Sequence, residues 1–270
     1  MRRVISAVVD KIPTSLRQAV IGSPSRPSRV ANALHAIMNI LPGSRVPCLP
    51  CRGVLKGYRM KIDWSRHRAF VYGTWEPAVV KALVEVVKPG ASAVDIGAHI
   101  GFYTLILSKM VGPQGRVLAF EPLPWNFSVL CDNIRLNNCT HVEAINKALL
   151  DRTCDLEADI REDGVLPGSV AYIATDGAES PIASAVPLDD FLRESKAPVH
   201  FMKVDVEGAE SSVLKGASNT IESYHPALII EVHHFDGPAD ASPVIGQLRE
   251  WGYQIRWLTR EKLTSHLLAT

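Results

Sequence analysis

The chain has no run of 18 apolar residues among its 270 positions, so no stretch predicts a membrane-spanning helix. It also lacks a signal-peptide core, because charged residues interrupt the apolar positions that follow Arg3. The five cysteines are an odd number, and no second C-x-x-C or C-x-x-H accompanies Cys48 and Cys51. A closed zinc site is therefore short of ligands, and free thiols in a cytoplasmic protein are expected.

Acidic residues are scarce at the start of the chain. Residues 1–68 hold 13 lysines and arginines against 2 acidic residues, whereas the remainder holds 16 against 26. Apolar residues at helical spacing over 1–21 predict a basic amphipathic helix, followed by a Ser/Pro-rich linker and a second helix over 30–40. This arm is a candidate for peripheral membrane contact, for contact with nucleic acid, or for packing on the acidic domain.

Strands and helices alternate after this arm, which predicts a parallel sheet covered on both faces. Residues 54–71 are strand-like, and Trp75-Glu76-Pro77 opens a helix that continues to about Lys88. The strands then predicted are 93–96, 116–120, 142–146, 200–204, 227–232 and 253–258, and the helices are 101–110, 125–137, 209–222 and 243–251. Residues 150–188 break the alternation and predict extra antiparallel strands or a loop over the active-site mouth. We therefore predict a basic extension over 1–50 and an α/β domain over 51–270, with a lead-in strand and helix region over 51–90.

A glycine-punctuated turn follows the strand at 93–96. Residues 94–101 read VDIGAHIG, and this G-x-x-x-G spacing lacks the second glycine with which G-x-G-x-x-G approaches a pyrophosphate. Asp95 offers a carboxylate that suits an ammonium or sulfonium group at the strand end. Glu121 follows the next strand, where an acid accepts hydrogen bonds from a ribose diol. S-adenosylmethionine has both a ribose and a cationic methionine end, so the two acids predict this cofactor.

Several motifs together resemble the FkbM family of methyltransferases. They are VDIGAHIGFYT at 94–104, FEP at 120–122, LDDF at 188–191, FMKVDVEGAE at 201–210, LKGA at 214–217 and Ile230-Glu231. The resemblance covers about residues 70–235, and its most specific part is K-x-D-x-E-G-x-E. His99 departs from the family pattern, which usually has Asn there.

The resemblance implies a Rossmann-like class I methyltransferase fold with a mainly parallel seven-stranded sheet, here preceded by an N-terminal helical and β extension. It implies methyl transfer from S-adenosylmethionine to a hydroxyl, with sugar, glycan and natural-product hydroxyls as the typical acceptors. The expected cofactor-binding residues are Glu76, Asp95, Gly97, His99, Gly101, Glu121, Ala148 and Asp205.

The acceptor side is expected at the carboxyl ends of the fourth and fifth strands of the alternation, which line one crevice. The predicted catalytic residues are Asp205, Glu207 and His233. His233 is the preferred proton acceptor because the unperturbed pKa of histidine is near ~6.5, and His234 is its alternative. Glu207 alternatively caps the following helix. No metal is assigned, although Asp205, Glu231 and His233 form an open alternative as a Mg²⁺ site.

Two other functions remain open from the sequence. An RNA methyltransferase would use the basic arm to bind phosphates, and its substrate binding would depend steeply on salt. No aromatic-interleaved basic patch or N-P-P-Y motif supports it, so nucleic acid is the second choice of partner after a small-molecule or glycan acceptor. A non-catalytic membrane adaptor would require an inactive cofactor pocket, whereas Asp95 and Glu121 are both present.

Overall fold

A computed structural model describes residues 48–159, 171–175, 183–194, 197–234 and 237–270. The chain divides into two compact units, Met1–Trp75 and Glu76–Thr270. The helices predicted over 1–21 and 30–40, and the linker between them, lie outside the described residues. No helix in the described ranges is long and apolar enough to cross a membrane.

The first unit contains a short hairpin and a helix. Strand β1 (Cys48–Pro50) pairs antiparallel with β2 (Arg59–Lys61), a 3-10 turn covers Gly53–Leu55, and α1 spans Trp64–Tyr72. The prediction of strand structure through 54–71 is therefore wrong for all but β2. Its aromatic and β-branched residues favour strands locally, but burial of Phe70 and Val71 on α1 decides the conformation.

The second unit is built on a seven-stranded sheet, and the predicted mainly parallel sheet is confirmed. Its strands are β3 (Ser92–Ile96), β4 (Arg116–Phe120), β5 (Val142–Ile145), β10 (Phe201–Val204), β11 (Ala227–His233), β12 (Ile255–Trp257) and β13 (Thr264–Ala269). They lie in the order β12-β13-β11-β10-β3-β4-β5. Neighbours from β11 to β5 are parallel, whereas β13 is antiparallel to both β11 and β12.

The helices of this unit connect successive strands. They are α2 (Pro77–Val86), α3 (Phe102–Val111), α4 (Pro124–Leu136), α5 (Leu188–Leu192), α6 (Glu210–Gly216), α7 (Ser218–Tyr224) and α8 (Pro243–Glu250). The single helix predicted over 209–222 is divided at Ala217 into α6 and α7. A Cβ at Gly216 would lie 2.0 Å from the carbonyl oxygen of Leu150, so a glycine is required where these segments meet.

The core explains why the central strands read as continuous apolar runs. In β3 the residues Ala93 to Ile96 are all buried, because helices cover both faces of the sheet. The main cluster joins one face of β3, β4, β10 and β11 with α6, α7 and α8. Because the strands from β11 to β5 are parallel, they all end at the same edge of the sheet, where the loops to the following helices lie.

A second sheet accounts for the interrupted alternation over 150–188. Strands β6 (Ala148–Leu149), β7 (Cys154–Asp159), β8 (Ala171–Thr175) and β9 (Ala183–Val186) lie in the order β6-β9-β7-β8. The pairs β7–β8 and β7–β9 are antiparallel, as predicted, whereas β6 runs parallel to β9.

Candidate functional site

The glycine-rich turn between β3 and α3 takes a left-handed backbone at three positions. Gly97 has φ 82°, His99 has φ 51° and Gly101, the residue before α3, has φ 94°. Glycine adopts such angles without strain, and Asn and His are among the side chains that tolerate them best. The left-handed backbone at residue 99 is therefore one that a histidine tolerates.

Gly97 also marks the closest approach of two strand ends. A Cβ at this position would lie 1.8 Å from the carbonyl oxygen of Asp205, the residue that follows β10. No side chain fits this space, so the turn after β3 and the loop after β10 lie in contact. The predicted cofactor residues and the predicted catalytic residues consequently share one edge of the sheet.

Glu121, the first residue after β4, is fixed beneath the glycine turn. Its carboxylate accepts hydrogen bonds from the backbone N–H of His99 at 2.7 Å and of Leu123 at 3.0 Å, and from Asn126 Nδ2 at 3.4 Å. Burial raises the pKa of Glu121 to about 7, although these three donors oppose the shift. Asn146 supports the same loop by donating to the carbonyl oxygen of Glu121 at 2.8 Å.

Asp95 lies deeper than the sequence suggested. It is the penultimate residue of β3 and is fully buried, and its assignment to the cofactor stays a prediction. Its Oδ2 accepts a hydrogen bond from the Thr104 hydroxyl at 2.6 Å, while Oδ1 has no partner among the described residues. Burial raises the pKa of Asp95, and the nearby Lys203 lowers it. Through the hydrogen bond with Thr104, Asp95 links β3 to the first turn of α3, directly after the glycine-rich turn.

Lys203 and Asp205 form a buried ion pair at the end of β10. The Nζ of Lys203 lies 2.8 Å from Asp205 Oδ2, and the lysine side chain is only 2% exposed. Burial alone would raise the pKa of Asp205, but the Lys203 ammonium lowers it to about 2. The ionised form of Asp205 is consequently the favoured one at neutral pH. The Lys203 ammonium also lies 4.4 Å from the centre of the Tyr103 ring.

Glu76 faces this pair from the start of α2. It has φ 39°, a strained angle for a residue other than glycine, and its Oε2 accepts a hydrogen bond from the Tyr103 hydroxyl. Tyr103 thus connects Glu76 to the ends of β3 and β10, because its hydroxyl bonds Glu76 and its ring contacts Lys203. Ala148 lies at the start of β6, beyond Asn146, and packs against the cluster around Cys154.

His233 is held between two carboxylates, which corrects the argument for it as a free base. It is the last residue of β11, and its Nδ1 lies 2.6 Å from Glu210 Oε1 and its Nε2 3.3 Å from Glu207 Oε2. Burial lowers the pKa of His233, but the hydrogen bonds to Glu207 and Glu210 outweigh it and raise the pKa to about 10. An imidazolium with both nitrogens engaged cannot accept a further proton.

The side chains around His233 make different contacts. Glu207 precedes α6 with φ 53°, and its side chain faces His233. The buried Glu210 accepts a hydrogen bond from the backbone N–H of Gly208 at 2.9 Å. His234 turns away, with Nδ1 3.1 Å from the carbonyl oxygen of Gly237 and Nε2 3.0 Å from Ser265 Oγ.

Glu231 is surrounded by ionisable groups. Ligand atoms of Asp205, Glu231 and His233 lie within 4.8 Å of one another, as do those of Glu76, Glu231 and His266. Burial and the charge of Asp205 raise the pKa of Glu231 to about 7. Burial lowers the pKa of His266, but the carboxylates of Glu231 and Glu76 raise it to about 9. The carboxylates around Glu231 therefore favour positively charged groups at this edge of the sheet.

Sequence reasoning did not identify four residues of this network. They are Tyr103, Lys203, Glu210 and His266. The first three lie inside motifs that were recognised, so their positions were visible although their partners were not. His266 lies on β13, a strand that no sequence pattern indicated.

The strand order, the glycine turn and the acid after β4 define a Rossmann-like methyltransferase fold. Residues 95–255 match the methyltransferase FkbM domain. The chain therefore belongs to the FkbM methyltransferase family, as the motifs indicated.

The similar proteins include two methyltransferases from distant organisms. Methyltransferase 1 of Beauveria bassiana is 33% identical over 144 residues, which cover 46% of this chain and 57% of that protein. The hexuronic acid methyltransferase AglP of Haloferax volcanii is 26% identical over 175 residues, covering 64% of this chain and 69% of AglP. The chain thus spans little more than half the length of the first relative.

Two FkbM proteins are also similar. The 31-O-demethyl-FK506 methyltransferase FkbM of Streptomyces tacrolimicus is 26% identical over 198 residues, covering 62% of this chain and 74% of that protein. The crystal structure of methyltransferase FkbM from Methylobacillus flagellatus is 20% identical, with a TM-score of 0.47 over 72% of this chain and 53% of that chain.

Proposed function

We propose that this protein transfers a methyl group from S-adenosylmethionine to a hydroxyl of a sugar, glycan or natural product. The observation that carries the proposal is Glu121, a carboxylate fixed under the glycine turn by the N–H groups of His99 and Leu123. A carboxylate held in one position after the second strand suits a ribose diol. When bound, the cofactor supplies an activated methyl group on a sulfonium.

The residues around the turn fit the cationic end of this cofactor. Gly97 and Gly101 keep the turn free of side chains, and His99 adds its backbone to the same surface. Glu76 and Asp205 provide negative charge beside it, opposed by the ammonium of Lys203. Ala148, the remaining expected contact, follows the strand next to Glu121 and would lie on the adenosine side.

The acceptor class rests on the similar proteins. AglP is a hexuronic acid methyltransferase, and FkbM of Streptomyces tacrolimicus acts on 31-O-demethyl-FK506. Both names describe multiply oxygenated acceptors. We extend this class to the present chain because its acceptor edge is rich in carboxylates, which hydrogen-bond hydroxyl groups well.

Asp205, Glu207 and His233 are the proposed acceptor-side residues. Asp205 is ionised and held by Lys203, so it orients a hydroxyl and stabilises positive charge. Glu207 is the carboxylate of this group with the more exposed side chain, and it is the proposed proton acceptor. His233 is a positioning residue that fixes Glu207 while Glu210 anchors its other nitrogen.

Native mass spectrometry of the purified full chain tests the cofactor first. We expect the mass of S-adenosylmethionine or its demethylated product, followed by methylation of members of a panel of uronic acids, glycans and polyketides. RNA is the competing acceptor because of the basic arm, and it belongs in the same panel. Methylation of RNA alone, with binding that falls steeply with salt, would replace the proposed acceptor class.

A further inference from the structure

Glu231 and His266 face each other across the two strands at the edge of the site. They are direct partners in the antiparallel register of β11 and β13, so both side chains project from the same face of the sheet. Glu76 reaches the same point from the start of α2, where its φ of 39° is strained. Three ligand-type side chains from distant parts of the chain therefore converge.

The Nε2 atom of His266 is buried without a hydrogen bond. The side chain is 6% exposed, and Nε2 has no hydrogen-bond partner among the described residues. It points between two carboxylate oxygens, Glu76 Oε2 at 3.3 Å and Glu231 Oε2 at 3.4 Å, but neither contact has hydrogen-bond geometry. A buried imidazole nitrogen that faces two carboxylate oxygens without a well-directed hydrogen bond to either is uncommon, so its position requires an explanation.

These separations fit ligands that share one ion. Nitrogen and oxygen ligands lie about 2.0–2.2 Å from a divalent first-row metal, which places neighbouring ligand atoms about 3.0–3.4 Å apart. The two distances from His266 Nε2 fall at the upper end of this interval. The other ring nitrogen, Nδ1, lies 2.9 Å from Thr259 Oγ1, which can accept its proton and orient the ring.

We propose that Glu76, Glu231 and His266 form a site for a divalent first-row transition-metal ion. Imidazole with two carboxylates favours such an ion over Mg²⁺ or Ca²⁺, which prefer oxygen ligands throughout. The alternative cluster of Asp205, Glu231 and His233 is less suited, because both nitrogens of His233 already face Glu207 and Glu210.

The ion would lie next to the proposed acceptor side, because Glu231 also approaches Asp205 and His233. There it would attract and acidify a hydroxyl by charge. This role rests on the proposed function, whereas the binding itself does not. A test of binding without cofactor or acceptor therefore separates the two proposals.

Electron paramagnetic resonance with Mn²⁺ as the probe tests the site directly. The full chain is stripped with a chelator, dialysed and titrated with Mn²⁺ in the absence of cofactor. We expect one bound Mn²⁺ per chain and a nitrogen coupling in the electron spin-echo envelope that reports a directly bound imidazole. Zn²⁺ should displace the Mn²⁺, since both ions accept this ligand set.

Variants identify which histidine binds the ion. We expect His266→Gln and Glu76→Gln to weaken Mn²⁺ binding at least ~10- to 100-fold, since even the loss of an outer partner of a ligand has such an effect. The matched control is His141→Gln, because His141 contacts Ser108 and belongs to neither ligand cluster. Its affinity should stay unchanged.

Two results would overturn the proposal. One is Mn²⁺ bound without nitrogen coupling in the wild-type chain, which requires no variant and is independent of folding defects. The other is the absence of saturable Mn²⁺ and Zn²⁺ binding, which would leave His266 as an imidazolium paired with two carboxylates. Loss of binding in His141→Gln as well would point to a global effect and equally contradict the assignment.

Discussion

Replacing Glu121 by glutamine is the most informative single change to the cofactor side. The side chain keeps its size, but its amide NH₂ group must face one of the two backbone N–H groups that the carboxylate now accepts from, those of His99 and Leu123. The variant also loses the negative charge offered to a ribose diol. Both effects act on the same loop, so cofactor affinity should fall.

The size of the effect follows from the bonds that are lost. Hydrogen bonds to a charged group contribute about 1.5–3 kcal/mol, and every ~1.4 kcal/mol is tenfold in affinity. We therefore expect the dissociation constant for S-adenosylmethionine to rise about 10- to 150-fold. Glu143→Gln is the control, because Glu143 is an exposed acid on the neighbouring strand β5 that pairs with Arg116.

The pH dependence gives the same experiment a second signature. The pKa of Glu121 is raised from 4.5 to about 7, so the protonated form is favoured in the folded state. Its contribution to stability is fully present below pH 4.5 and is lost as the pH rises through about 7, at most about 3 kcal/mol. Cofactor affinity should change in the opposite sense, because the ionised carboxylate is the stronger acceptor.

Calorimetric titration at pH 6 and pH 8 measures the affinity, and urea denaturation at the same pH values measures the stability. Wild type should lose stability relative to Glu121→Gln as the pH rises, and its affinity should rise while that of the variant stays flat. Equal affinities of wild type and Glu121→Gln at pH 8 would refute the ribose assignment. A stability difference that does not vary with pH would refute the raised pKa.

Three further changes test the rest of the site. Gly97→Ala should lower the melting temperature much more than Gly252→Ala does. Both residues have φ near 80°, but only at Gly97 would a Cβ lie 1.8 Å from a carbonyl oxygen. Equal losses of melting temperature would refute the close approach. Lys203→Met should destabilise the fold by about 3–5 kcal/mol in urea denaturation, and adding Asp205→Asn should restore part of this loss. His233→Gln should lower kcat with unchanged cofactor affinity in calorimetry; an unchanged kcat removes its positioning role.

Motifs indicated the proposed cofactor side of the site because its residues are close in sequence. The turn after β3 and the acid after β4 belong to one strand–helix–strand unit, so local spacing carries the information. The left-handed backbone at His99 and the collision that excludes a side chain at Gly97 also arise from this unit and its neighbour β10. The fold class followed from the same alternation.

The acceptor side was harder to predict because its chemistry depends on partners far along the chain. His233 was assigned an ordinary pKa, whereas Glu207 and Glu210 keep it protonated. The strand β13 was missed because it is buried on both faces and does not alternate. The convergence of His266 with Glu76 depends on the antiparallel placement of β13 beside β11, which no local pattern encodes.

Transfer of a ¹³C-labelled methyl group tests the central claim most directly. The full chain is incubated with S-adenosylmethionine labelled at its methyl carbon and with the uronic acid, glycan, polyketide and RNA panel, and products are analysed by mass spectrometry and carbon NMR. The account predicts a labelled methyl group on a hydroxyl oxygen of a sugar or natural product, and its loss with Glu121→Gln at limiting cofactor. A label found on nitrogen, on carbon or only on RNA would contradict it.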